Sequence, residues 1–246
     1  MFHRGKCLGE GGAQHEIGRA VLIGGFAIGD DEARAALIAR HARYYGRHAE
    51  DLARELQGPD GVEVIPIIKA NIENIEAVIR RRDQVDATHV MQAIVALGNA
   101  RLVVVASPLN QYLAWSEAIR ERLDDAEKVR LATVEARYHR LVADPRKALL
   151  TARLAARDAE DPQIRIDALR TAGIASLELG KLDDAESYFD EAMEIAVAHS
   201  DKFNQGRLEQ NKASISLAEG RFEEARRHAS VAYGLLDEAS SAPYSA

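Results

Sequence analysis

Three alanines set the frame for this chain. Ala148, Ala185 and Ala225 stand 37 and 40 residues apart, each inside a recurring block of small and apolar side chains. One unit reads Leu169, Ala172, Gly173, Ser176, Gly180, Leu182, Ala185, Phe189 and Ala192. The next reads Ala213, Ser216, Gly220, Phe222, Ala225, Ala229 and Ala232, and a fainter one ends with Pro145, Ala148, Ala152 and Ala155. A fixed period in this range means that each repeat is one supersecondary unit unable to bury its apolar face alone, so neighbours must stack. Small residues at the marker positions let two helices approach closely, and a glycine or proline turns the chain between them. The expected unit is a helical hairpin.

The rest of the chain reads the same way from Asp30 onward. Good helix formers dominate, and apolar residues recur at three- and four-residue steps, as in Leu37, His41, Tyr45, His48, Leu52 and Leu56. The prolines stand where helices should begin or end. Ser107-Pro108, Asp144-Pro145 and Asp161-Pro162 each place a capping oxygen before a proline suited to the first helical position. No run of strict alternation stands out, and Leu102–Val105 continues the apolar face of Met91, Ile94, Val95 and Gly98 as the end of a buried helix. The pattern predicts helices over 31–57, 65–82, 87–105, 108–123, 125–142, 146–159, 162–179, 182–199, 202–219 and 222–237. The expected fold is all-α, a right-handed superhelical solenoid of helical hairpins over residues 31–237. Residues 1–30 are expected to form a flexible glycine-rich lead, since eight of the 17 glycines fall between Gly5 and Gly29. Residues 238–246 are expected to be a disordered tail.

Charge and cysteine usage narrow the function. The 32 basic and 39 acidic residues leave a net charge of −7, the opposite of what a broad electrostatic nucleic-acid binder shows. The single cysteine, Cys7, rules out an intrachain disulfide and any multi-cysteine metal site, which points to a reducing, cytoplasmic setting. No apolar run approaches the roughly 20 residues needed to span a bilayer, so no membrane partner is expected. His41 and His48 are seven residues apart, too far for the i, i+4 spacing of helical zinc motifs. His41 fits the apolar stripe better as a packing residue. Asp183-Asp184 and Glu223-Glu224 sit in first helical turns, where negative charge complements the helix dipole. Arg80-Arg81-Arg82 ends a helix, where positive charge does the same. No cofactor, metal or catalytic constellation is expected.

The repeat units resemble the tetratricopeptide repeat. AGIASLELGKLDDAESYFDEAMEIA matches its core pattern, and ASISLAEGRFEEARRHASVAYGLL follows it. Leu169 stands where the family carries an aromatic, and the terminal prolines are missing, which puts peptide-binding properties in doubt more than the fold. The middle of the chain resembles a second group, the multidomain ATPase regulators of the antibiotic regulatory protein and maltose-activator types. There a helix bearing His-Ala-x-Tyr-Tyr precedes a Gly-Pro turn. The matching residues here are His41, Ala42, Tyr44, Tyr45, Gly58, Pro59, Asn74, Ile75 and Ala77, and Asn110–Leu123 resembles the next helix, with Trp115 packed between hairpins. The phosphate-binding signature Gly-x-x-x-x-Gly-Lys-Ser/Thr is absent, so the ATPase module of those regulators is not on this chain. The resemblance implies a sensor or scaffold portion, with an ATPase module acting in trans.

The expected working surface is the concave groove, lined by the first helix of each hairpin. By register with the marker alanines it receives Arg130, Thr133 and Arg137, then Arg170 and Ile174, then Arg207, Asn211 and Ser214. Arginines from three successive hairpins would make a locally basic channel in an acidic protein and favour a carboxylate- or phosphate-bearing ligand, or an acidic protein or peptide partner. Asn211 resembles the backbone-gripping asparagine of peptide-binding relatives, without the full clamp. The competing reading pairs these arginines with carboxylates on adjacent helices. The function expected is a non-enzymatic interaction or ligand-sensing scaffold in bacterial signalling or transcription regulation. Its alternatives are a structural oligomerisation module, since homo-oligomers are compatible with the sequence, and an enzyme on a helical scaffold.

Overall fold

The computed structural model describes residues 31–56, 58, 61–100 and 109–241. Among these residues there are ten α-helices and no strand. They are α1 (Asp31–Leu56), α2 (Gly61–Arg80), α3 (Ala87–Ala100), α4 (Leu109–Ile119), α5 (Asp125–Leu141), α6 (Pro145–Asp158), α7 (Pro162–Glu178), α8 (Leu182–Ala198), α9 (Lys202–Ala218) and α10 (Phe222–Ser241). A 3-10 turn over Arg120–Arg122 follows α4.

Polar caps start α6 and α7 as the two Asp-Pro pairs foretell. Asp144 accepts a hydrogen bond from the backbone N–H of Lys147 at 3.0 Å, and Asp161 accepts from those of Gln163 and Ile164 at 2.7 and 3.2 Å. Each cap uses donors that the first helical turn cannot satisfy itself. Asp124 and Glu127 form a reciprocal capping box at the start of α5. The turns inside hairpins close by one recurring motif. Gly180 and Gly220 take φ of +72° and +74°, and Ala143 does the same work at +60°. In all three the following N–H reaches back to close the turn, from Lys181 to Ser176, Arg221 to Ser216 and Asp144 to His139.

Each helix packs on its neighbours in the chain. The odd-numbered helices also pack in series, α1 on α3, α3 on α5, α5 on α7 and α7 on α9. That pattern is a solenoid of five helical hairpins, α1/α2 through α9/α10, of the tetratricopeptide type. The markers Ala148 and Ala185 are fully buried and Ala225 nearly so. Close approach is enforced where Gly173 of α7 meets Phe189 of α8, and where Gly98 of α3 meets Val134 and Tyr138 of α5. The first hairpins share one core around Tyr45, Ile75, Ile79, Met91, Ile94 and Tyr138. Tyr112 of α4 stacks on Tyr138 of α5 at 5.5 Å and meets Trp115 of its own helix edge-on at 5.0 Å, with Trp115 half-buried against this core. A second core gathers Ile166, Leu169, Phe189, Leu208 and Ile215.

Several boundaries differ from expectation. α2 begins at Gly61 and carries Pro66 in its interior rather than at its start. Pro66 lacks the N–H that would bond to the Val62 carbonyl, and Val62 itself is 77 % exposed. The predicted helix over 108–123 ends instead at Ile119 and finishes as the 3-10 turn. α10 runs to Ser241, into the stretch read as tail, with the Ser240 and Ser241 hydroxyls bonded back to Leu236 and Asp237 carbonyls. Residues 1–30, the cap Ser107-Pro108 and the stretch Leu102–Val105 lie outside the described residues. No helix among the described residues is long and apolar enough to cross a membrane.

Candidate functional site

The inward faces of the odd-numbered helices surround one cavity of about 540 Å³. α1 contributes Glu50, Ala53 and Arg54, and α3 contributes Val95 and Asn99. Arg130, Thr133, Val134 and Arg137 project from α5 at the i, i+3, i+4, i+7 spacing of one helix face. α7 supplies Gln163, Ile164 and Asp167, and α9 supplies Phe203, Asn204 and Arg207. Five hairpins, from the first helix to the ninth, thus meet at a single hollow. Its volume is in the range of small-molecule and peptide-anchor sites.

Charge is distributed unevenly within it. At the α1 side Arg130 is matched by Glu50, which also accepts from Gln92. In the centre, three guanidiniums gather around one carboxylate. Arg137 donates to Asp167 Oδ2 at 3.3 Å and to Asn99 Oδ1 at 2.6 Å, and the Arg170 guanidinium lies 3.5 Å from Asp167 Oδ1. Arg207 lies over the Phe203 ring at 5.5 Å and donates only to Asn204 Oδ1, at 3.3 Å. Burial by itself would push the Asp167 carboxyl up, but Arg137, Arg170 and Arg207 outweigh it and hold the group below the usual carboxylate range. The cost appears on the other side of the cluster. Burial first, then repulsion from Arg207, draws the Arg170 guanidinium down to about 9 against the pull of Asp167. Arg207 is lowered too, chiefly by burial, with Asp167 and Asp201 opposing. The Nε atoms of Arg137 and Arg170 are buried without a hydrogen-bond partner. A second anion beside Arg137 and Arg207, which line the cavity, would relieve the repulsion among these cations.

The structure places the expected residues unequally. Arg130, Thr133, Arg137 and Arg207 line the cavity. Arg170 stands behind Asp167 with its side chain 14 % exposed, and it is not part of the lining. Asn211, one turn beyond Arg207 on α9, is half-buried and does not line it either. Asp167 is the residue that sequence reasoning passed over. Its signal was present in the i, i+3 step to Arg170, which brings an acid and a base together on one helix face. Asn99, Phe203 and the α1 residues Glu50 and Arg54 were also unforeseen, because only the stacked fold brings them to this place.

The far end of the cavity is a self-satisfied polar ladder. Asp201 accepts from Gln163 Nε2 at 2.8 Å and from the Asn204 amide at 2.7 Å, and Asn204 also donates to Gln163 Oε1 at 2.9 Å. These groups hold adjacent hairpins in register and leave few amides free to grip a peptide backbone. On another surface a hollow of about 810 Å³ is lined by Leu113, Val129, Leu154 and the Arg120–Glu135 ion pair. Burial raises the Glu135 carboxyl although Arg120 pulls it down. Among the described residues no three metal-ligating side chains come together.

No family model matches the chain, and no curated protein matches it. Among solved structures it is similar to that of "MamA AMB-1", with a TM-score of 0.48 and 18 % identity over 79 % of this chain and 98 % of the other.

Proposed function

We propose that the protein is a non-enzymatic binding scaffold whose concave cavity takes an anionic group. That group is a carboxylate- or phosphate-bearing ligand, or an acidic segment of a partner protein. The observation that carries this reading is the convergence of Arg137, Arg170 and Arg207 around Asp167, with Asp201 the further carboxylate acting on Arg207. Three buried cations against these two carboxylates leave an electrostatic deficit that a ligand's anion fills. Arg130, already matched by Glu50, holds the first and third hairpins together and is assigned no ligand role. Arg207 lines the cavity, makes no carboxylate ion pair among the described residues and stands beside an aromatic ring, so it is the residue expected to touch the ligand first. The resemblance of the middle segment to ATPase-coupled regulators supports a role in signalling or transcription regulation, with an ATPase module supplied in trans.

The test is affinity capture from the native lysate, with the partners identified by mass spectrometry. Wild-type protein is expected to retain a partner at low salt and release it as salt rises, because the attraction is screened over roughly 8–10 Å. Arg207→Glu should lose that partner while its circular-dichroism spectrum stays helical. Equal capture by Arg207→Glu, independent of salt, would place the working surface elsewhere.

A further inference from the structure

A stretch of α1 and the whole of α8 carry charged side chains of one sign only. From Ala33 to Ala49, α1 holds Arg34, Arg40, Arg43 and Arg47 and no acid. Arg40, Arg43 and Arg47 recur at three- and four-residue steps, so they share one face over about 10 Å of helix. All three are exposed, and none makes an ion pair among the described residues. Tyr44 lies in the same stripe, its ring stacked on His48 at 5.8 Å. Among the described residues α1 packs on α2 and α3.

α8 is the converse. Across Leu182–Ala198 it carries Asp183, Asp184, Glu186, Asp190, Glu191 and Glu194 and no lysine or arginine. Asp183, Glu186, Asp190 and Glu194 are exposed and recur at steps of three, four and four residues. Lys212 engages Asp190, and Glu186 lies near Arg221, but Asp183 and Glu194 make no ion pair among the described residues. The two stripes are therefore opposite in sign and matched in helical spacing.

We propose that the α1 stripe docks on the α8 stripe of a second copy of this chain. Charge complementarity selects this occupant. A molecule of net charge −7 has few faces that attract its own copy, and this pair of faces does so on both sides of the contact. The contact either forms twice, closing a two-fold dimer, or runs on head to tail. Exposed ion pairs are weak singly, so the association depends on several acting together and dissolves with salt. It is separate from the concave cavity, whose arginines take no part in it.

The experiment is light scattering coupled to size-exclusion chromatography on the full chain, at about 20 mM and about 500 mM salt. The wild type should associate at low salt and dissociate at high salt. Arg40→Glu/Arg43→Glu/Arg47→Glu should be monomeric at both, and so should Asp183→Lys/Glu186→Lys/Glu194→Lys. The chain carrying all six changes should associate again, because the stripes are exchanged rather than removed. Regained association also rules out misfolding as the cause of the single-stripe losses. A monomeric wild type at low salt would overturn the proposal. So would an oligomer that survives either reversal, which would assign self-association to another surface. Arg207→Glu should leave the oligomer unchanged, so failure of the cavity reading and failure of this one are separable.

Discussion

Phe189 of α8 lies directly over Gly173 of α7, so closely that a Cβ added to the glycine would stand 2.3 Å from the ring. The ring is fully buried and cannot swing away without opening the second core. Gly173→Ala should therefore destabilise the protein by about 1–3 kcal/mol through overpacking. Gly234 of α10 is the control, since a Cβ there meets nothing within 4 Å. Gly234→Ala should raise stability by about 0.5–1 kcal/mol, the ordinary helix gain. Urea denaturation of both variants checks the pair, and equal stability of Gly173→Ala and wild type would undo the α7/α8 register.

Ala143 closes the α5/α6 turn at φ +60°, where its two counterparts are glycines. An L-residue held in this left-handed region is strained by roughly 1–2 kcal/mol. Ala143→Gly should recover part of that cost and raise the melting temperature by a few degrees. No rise would mean that the greater freedom of glycine in the unfolded chain offsets the relieved strain.

The hairpins were legible because their signals are local. Marker alanines, turn glycines and Asp-Pro caps each specify one contact within a few residues, and the structure makes those contacts at Ala185, Gly180 and Asp161. The interior Pro66 was misread because its tolerance depends on the exposure of Val62, which only the folded surface sets. The cavity was half legible. Spacing along α5 put Arg130, Thr133 and Arg137 on one face, but it could not reveal that Glu50, 80 residues away from Arg130, neutralises one of them. Nor could it order Arg170 behind Asp167. Which cation is left wanting a partner is a property of three-dimensional packing.

His41 is 3 % exposed, between Tyr45 and Asn74. Burial, opposed by Asn74 and assisted by Arg81, lowers its pKa from 6.5 to about 4. The folded protein thus favours the neutral ring, and the unfolded chain binds the extra proton first. Stability is full above about pH 6.5 and is lost as pH falls towards 4, by at most about 3 kcal/mol from this group. His48 and His139, also held low by burial, add in the same direction. Denaturation midpoints between pH 7 and pH 4 should fall steeply for wild type and less steeply for His41→Leu. Identical slopes would remove His41 from the account.

Asp167 holds together the three arginines at the cavity. Asp167→Asn keeps the shape but leaves Arg137 and Arg170 without their carboxylate, which should cost about 3–5 kcal/mol, the penalty for breaking a buried pair. Sulfate or citrate should restore part of the loss, and should stabilise the variant more than wild type. A melting temperature that falls but ignores added anions would make Asp167 a packing residue only.

The most direct measurement is calorimetric titration of a short polyglutamate peptide into wild-type protein and into Arg207→Gln. Removing one charge-assisted hydrogen bond forfeits about 1.5–3 kcal/mol, so the variant should bind at least about tenfold more weakly. Wild-type affinity should also fall as salt rises. If the peptide binds both proteins equally, or binds neither at low salt, the arginine cluster is a structural device and the concave cavity is not an anion site.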